Sequence, residues 1–167
     1  MKSQKEEFLE LLTNYQGIIH KVNLIYFQNK TDREDNFQEV VYQLWRSYPK
    51  LRNKSSIGSW IYSVAINTSI SYLRKISRIE YHEKLPEAEG NHDPFEETVK
   101  DENTRKLLQA IHQLNDIDKS IMLLCLEEKS YEDISEILGI TVTNVGVRIN
   151  RAKESLKQNL IYLNNEK

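Results

Sequence analysis

Between Gly139 and Lys157 the chain reads GITVTNVGVRINRAKESLK. Val142, Val145, Ile149, Ala152 and Leu156 recur every three or four residues, the spacing of one packed face of a helix. Off that face stand Thr143, Asn144, Arg148, Arg151 and Lys153. Hydroxyl, amide and guanidinium groups on one rigid rod can hydrogen-bond base edges, and the cations can meet phosphates. A solvated surface helix has the same pattern, so the neighbouring residues have to decide.

A second concentration of chemistry lies between Val40 and Ile79. That stretch contains no Asp or Glu but holds Arg46, Lys50, Arg52, Lys54, Arg74, Lys75 and Arg78. Tyr42, Trp45, Tyr48, Trp60, Tyr62 and Tyr72 are interleaved with these cations. Positive charge for phosphates and flat faces for unstacked bases are what a single-stranded nucleic-acid surface needs. Packing into a core accounts for some of these aromatics, and Trp45 and Tyr72 are expected there. From Glu80 to Asn103 the pattern inverts to an acidic run, so the overall charge of −2 conceals a basic block followed by an acidic one.

Other chemistries find little support. Cys125 is the sole cysteine, which excludes an internal disulfide and favours an intracellular location. His20, His82, His92 and His112 are far apart in sequence, and none stands at a metal-ligand spacing from a cysteine or carboxylate. No metal, cofactor or catalytic constellation is expected. With 167 residues and a mean hydropathy of −0.62, the chain has no apolar run near the roughly 20 residues needed to cross a membrane. Acids stand in MKSQKEEFLELL where a signal peptide would need an apolar stretch, so a cytoplasmic protein is expected.

The elements that must position these groups all have helical period. Phe8, Leu11, Leu12, Tyr15, Ile18, Ile19, Val22, Ile25 and Tyr26 predict a helix over residues 5–27. Phe37, Val40, Val41, Leu44 and Trp45 predict a second over 33–48, stopped at Pro49. The polar stretch KLRNKSSIGS reads as a loop before a third helix over 58–77. From 78 to 103, Pro86, Gly90, Pro94 and the acids read as a flexible linker. Helical periodicity resumes near Asn103 with Leu107, Leu108, Ile111 and Leu114. Asp116 is expected to cap a helix carrying Ile117, Ile121, Leu124 and Leu126, and Ser130 to cap one carrying Ile134, Ile137 and Leu138. Gly139 suits a left-handed C-cap before Thr141 starts the next helix. The fold class is therefore all-α: two small helical domains, 1–78 and 104–167, joined by an acidic linker, 79–103. Helix, Gly-containing turn and helix with a cationic outer face are the layout of a helix-turn-helix, although two packed helices with a Gly turn also occur in any helical domain.

At this point the chain resembles the sigma factors of bacterial RNA polymerase, in particular the extracytoplasmic-function (ECF) class. That class has two domains, region 2 and region 4, joined by a variable linker. TDREDNFQEVVYQLWRSY is similar to the region 2 helix that docks on the polymerase clamp. GSWIYSVAINTSISYLRK is similar to the helix that melts and reads the −10 element, and SYEDISEILGITVTNVGVRINRAKESL to the helix-turn-helix that reads the −35 element. Asp35, Gln38 and Glu39 share one side of their helix by spacing, and the resemblance makes them contacts to the basic clamp coiled coil of core RNA polymerase. It also implies Arg52, Lys54, Trp60, Asn67, Arg74 and Lys75 as −10 contacts, and Thr143, Asn144, Arg148, Arg151 and Lys153 as −35 contacts. It implies the polymerase flap, promoter DNA and an anti-sigma factor as further partners. The sequence departs from the family's habit at Gly146 and Val147, where a cation and a small hydroxyl residue are frequent, and at Ser71, where an acid is frequent. A plain DNA-binding regulator with a separate sensing domain explains the second half equally well. It leaves the acid-free block and the acidic cluster on the second helix without a role.

Overall fold

The computed structural model describes residues 1–82, 99 and 101–166, and every regular element among them is helical. Three helices make up the first half: α1 (Gln4–Tyr26), α2 (Lys30–Ser47) and α3 (Ile57–His82). Ser3 starts α1 with a reciprocal capping box, its Oγ accepting from the Glu6 backbone N–H while Glu6 accepts from the Ser3 backbone N–H. Arg33 closes the other end, donating from Nη1 to the carbonyls of Phe27 and Gln28. Pro49 does stop α2, but inside a 3-10 turn, Tyr48–Lys50. The expected third helix runs five residues further, to His82. The remainder of the expected acidic linker, 83–98 and 100, lies outside the described residues.

Four helices follow among the described residues: α4 (Glu102–His112), α5 (Asp116–Leu126), α6 (Tyr131–Leu138) and α7 (Val142–Asn165). Asn115 caps α5, with Oδ1 accepting from the Asp118 backbone N–H, in place of the expected Asp116. Asp116 is the first helical residue, where its charge suits the helix dipole. Ser130 caps α6 as expected, accepting from the Asp133 backbone N–H, and Thr141, expected to start α7, stands as its N-cap and accepts from the Asn144 backbone N–H. Gly139 ends α6 at φ +67°, a backbone conformation that a Cβ disfavours.

Periodicity placed most of the core correctly, and the exceptions sit at the edges of each apolar stripe. Tyr15 (37% exposed), Val142 (43%), Ile117 and Leu126 belong to the expected stripes but face outward. Trp45, expected inside, is 40% exposed and meets Phe8 edge-on at 5.1 Å. Tyr72 is half-buried against Phe27, as expected. Beneath the α2–α3 contact lies a polar cluster that apolar spacing cannot detect. Asn36 Nδ2 donates to Asn23 Oδ1 (2.7 Å) and to Ser69 Oγ (2.8 Å), and all three residues are buried. Asn23 Nδ2 donates in turn to the Arg33 carbonyl, and Ser69 Oγ to the Ala65 carbonyl.

The two halves pack on one another. α1 lies against α4 and α5, and α3 lies against α6. Their buried apolar residues form one continuous cluster. Polar ties cross the same boundary. Glu127 accepts from Lys21 Nζ (2.7 Å) and Tyr62 OH (3.4 Å), and Lys129 Nζ sits 5.5 Å from the Tyr62 ring centroid. Burial beside the Glu127 carboxylate pushes the Tyr62 phenol up to about 12. Tyr26 OH donates to the Asp116 carbonyl, and His112 Nε2 is 2.8 Å from the Leu24 carbonyl. Burial, with Lys119 and Arg33 nearby, lowers the His112 pKa, so the docked form favours the neutral ring. That contribution is complete above the ordinary value of 6.5 and fades as pH falls below it.

Candidate nucleic-acid interface

α2 and α3 enclose an open groove of about 690 Å³. One wall is Asp35, Gln38, Glu39 and Gln43 of α2, and the other is Asn67, Thr68, Ser71, Tyr72 and Lys75 of α3. The structure thus brings the expected polymerase contacts face to face with two of the expected −10 contacts. Tyr72 OH reaches across to Asp35 Oδ2 at 3.4 Å, and burial beside Asp35 and Asp32 raises its pKa. Trp60, Asn67 and Arg74 recur at seven-residue intervals, which drift only ~20° per heptad around a straight helix. Asn67 and Arg74 are exposed, whereas Trp60 is half-buried against the core near Tyr48. Arg52 and Lys54 are exposed but stand apart from this groove. Lys54 lines a second one, about 370 Å³, with Tyr15, Tyr48, Leu51 and Ile57. Thr68 and Gln43 were missed because neutral polar residues on a helix surface carry no pattern of their own.

In the second half, α6, the turn at Gly139 and α7 form the helix-turn-helix, with α7 packed on α5 as well as α6. Val145, Ile149, Ala152 and Leu156 anchor α7 in the core. Thr143, Asn144, Arg151 and Lys153 are exposed. Arg148 is different: its side chain is 33% exposed and its Nη1 lies 3.9 Å from Asp118 Oδ1 on α5. Lys153 is close enough to Cys125 to oppose the rise that burial imposes on the thiol, which stays raised and so is poorly suited to nucleophilic chemistry. Among the described residues no group of three or more His, Cys, Asp or Glu could hold a metal ion, and no helix is long and apolar enough to cross a membrane.

Two family models match the chain: Sigma-70 region 2 over residues 11–79 and Sigma-70 region 4 over residues 104–156. The chain is 31% identical over 171 residues to the ECF RNA polymerase sigma-E factor of Haemophilus influenzae, with 95% of this chain and 90% of that protein covered. The chain belongs to the ECF class of the sigma-70 family. It is a promoter-specificity subunit of RNA polymerase that binds core enzyme and directs transcription initiation. RNA polymerase sigma factor YlaC of Bacillus subtilis is also 31% identical, over 76% of each chain. The sigma factor RpoE of Bartonella quintana, solved with the anti-sigma factor NepR, shares the fold at TM-score 0.69 and 19% identity, covering 93% of this chain and 95% of that one.

In this sigma factor the region 2 match ends within α3, and the region 4 match spans α4 to the middle of α7. The departure at Gly146 falls inside α7, the second helix of the helix-turn-helix. A Cβ there would sit 3.6 Å from Tyr131 Cε2, an ordinary contact, so the protein's own packing does not require glycine. Interior glycine costs a helix ~1 kcal/mol relative to alanine. Gly146→Ala should therefore raise the stability of the sigma factor by about 0.5–1 kcal/mol in urea titration. Destabilisation would mean that the Tyr131 contact is tighter than described.

Proposed function

We propose that the two walls of the α2–α3 groove divide the work of region 2. Asp35, Gln38 and Glu39 meet the basic clamp coiled coil of core polymerase, and Trp60, Asn67, Arg74 and Lys75 hold the melted −10 strand, with Arg52 and Lys54 on the loop before α3. Thr143, Asn144, Arg148, Arg151 and Lys153 meet the −35 element in the major groove, and region 4 also contacts the flap. Residues 1–78, 79–103 and 104–167 serve as region 2, linker and region 4. The observation that carries this reading is the groove itself, where carboxylates on one helix oppose amide, hydroxyl and ammonium groups on the next. The protein acts in the cytoplasm without catalysis of its own, polymerisation belonging to core. Because RpoE is solved with NepR and the sigma factor CnrH with the cytosolic domain of CnrY, an anti-sigma factor is proposed as a further partner. Run-off transcription with purified core, with and without this protein, tests the reading. Initiation at one promoter only when both are present supports it, and sequence-specific DNA binding without any effect on core overturns it.

Docking of the halves has a consequence for this function. Elements centred near −10 and −35 lie about 25 base pairs apart, roughly 85 Å at 3.4 Å per pair. With α6 packed on α3 and α7 on α6, the two DNA faces are separated by only a few helix diameters of about 10 Å. The halves must part on a promoter. Glu127→Lys sets a third cation beside Lys21 and Lys129 and should shift the free protein to a larger radius of gyration in small-angle scattering. The added Lys21→Glu exchange should restore the compact value. Acidification below about pH 6.5 should favour the same expansion through His112. An unchanged radius in the single variant would show that the Glu127 ion pair does not hold the halves together.

A further inference from the structure

Two buried polar atoms in region 4 lack hydrogen-bond partners, and they lie close together. Asp118 is 7% exposed in the first turn of α5. Its Oδ2 accepts from Asn115 Nδ2 at 2.9 Å, while its backbone N–H donates to Asn115 Oδ1. Its other oxygen, Oδ1, is buried without a hydrogen bond, and so is Nε of Arg148. Arg148 Nη1 lies 3.9 Å from that same Oδ1. Orphaned buried groups are rare and call for an explanation. Here one is a carboxylate oxygen and the other a guanidinium N–H, opposite charges on neighbouring helices whose nearest measured approach is that 3.9 Å.

We infer that Asp118 is a positioning residue for Arg148. It holds the buried side of the guanidinium so that the outer Nη donors are aimed outward from the recognition helix. A guanidinium has five N–H donors in a fixed fork. With the buried side of the guanidinium held beside Asp118, Nη donors on its outer side stay available to an acceptor pair such as guanine O6 and N7. A fork held from behind loses less freedom when it binds, and it tolerates less misalignment of its target. The carboxylate in turn keeps a cation beside its otherwise unpaired oxygen. Asp118 touches no DNA in this arrangement and acts only through Arg148. The inference rests on the proposed role of α7 at the −35 element.

The test uses holoenzyme reconstituted from core and full-length protein, on promoters carrying every single-base change in the −35 element. Arg148→Ala should lower transcription about tenfold or more on the preferred promoter and flatten base preference at one −35 position. Asp118→Asn, which keeps the side-chain shape and the backbone cap, should flatten preference at that same position about three- to tenfold, with its melting transition retained. The double variant should be no worse than Arg148→Ala. Asp118→Glu keeps the charge but displaces it, and should recover part of the discrimination, which guards against a fold defect in the asparagine variant. Equal base ranking in Asp118→Asn, or losses that add in the double variant, overturn the inference while the −35 role of Arg148 stands. Lower melting with an even loss on all promoters reduces the pair to a structural tie. If Arg148→Ala leaves every −35 preference intact, the −35 reading of Arg148 falls first, and the role of Asp118 with it.

Discussion

Glu39→Lys is expected to weaken binding to core polymerase at least tenfold and to leave the melting transition where it is. Glu39 is exposed on the wall of the α2–α3 groove, and its carboxylate accepts from Gln43 Nε2, one turn along the same helix, at 2.9 Å. It stands outside the face of α2 that carries Asn36, Val40 and Leu44, so replacement should change stability by no more than about 0.5 kcal/mol. Against a basic partner surface, the reversal removes an attraction and adds a repulsion. A combined ~1.4–3 kcal/mol corresponds to a tenfold to hundredfold change in affinity. The loss should be largest at low salt, because exposed charges are screened over about 10 Å at 0.1 M. Titration of fluorescently labelled core with wild type and variant, alongside thermal unfolding of each, reads both quantities. Wild-type affinity would remove this face of α2 from the polymerase contact, and a lost melting transition would make Glu39 a folding residue.

The second large effect is on stability. Asn36→Ala should cost about 2–3 kcal/mol of the ~5–15 kcal/mol available to a domain. Asn36 is fully buried, and its amide supplies both Asn23 Oδ1 and Ser69 Oγ. Alanine leaves the Asn23 oxygen buried without its donor, a penalty of about 1–3 kcal/mol, and opens a small void besides. Asn36 Oδ1 itself has no hydrogen-bond partner, so the cluster is not held for maximal stability. Its position suggests what it does instead. Asn36 follows Asp35 on one groove wall, and Ser69 follows Thr68 on the other, so the cluster fixes how α2 sits against α3. Urea unfolding should show a lower midpoint with an unchanged slope. The double variant Asn23→Ala/Asn36→Ala should lose less than the sum of the singles, since each removes the same bond. A loss under 0.5 kcal/mol would mean that water replaces the amide at no cost.

Helix positions, most of the expected caps and the helix-turn-helix were legible in the sequence because they rest on local chemistry; Asp116 was the exception, Asn115 capping α5 in its place. Ser130, Gly139 and Thr141 act on backbone groups within four residues of themselves. A three-to-four residue apolar repeat fixes which face turns inward before any partner is known. Where the partner decides, the pattern failed. Trp45 and Val142 lie at stripe edges, and only the neighbouring helices determine whether an edge is covered. Helical spacing put Asp35, Gln38 and Glu39 on one side of α2 and the charge count set Lys75 in a basic stretch, but neither shows that Glu39 and Lys75 share one groove, which requires the crossing of α2 and α3. The Asn23–Asn36–Ser69 cluster joins residues 13 and 33 positions apart, and Asp118 meets Arg148 from another helix. The docking of region 4 on region 2 likewise depends on contacts about 65–106 residues apart in the chain, such as Tyr62 and Lys21 on Glu127. Sequence alone determined the helices, the −10 and −35 candidates and the family, since each is written in neighbouring residues. Tertiary structure alone decided which of those polar groups meet, because hydrogen bonds and ion pairs act over about 3–4 Å, and only folding brings residues distant in the chain within that range.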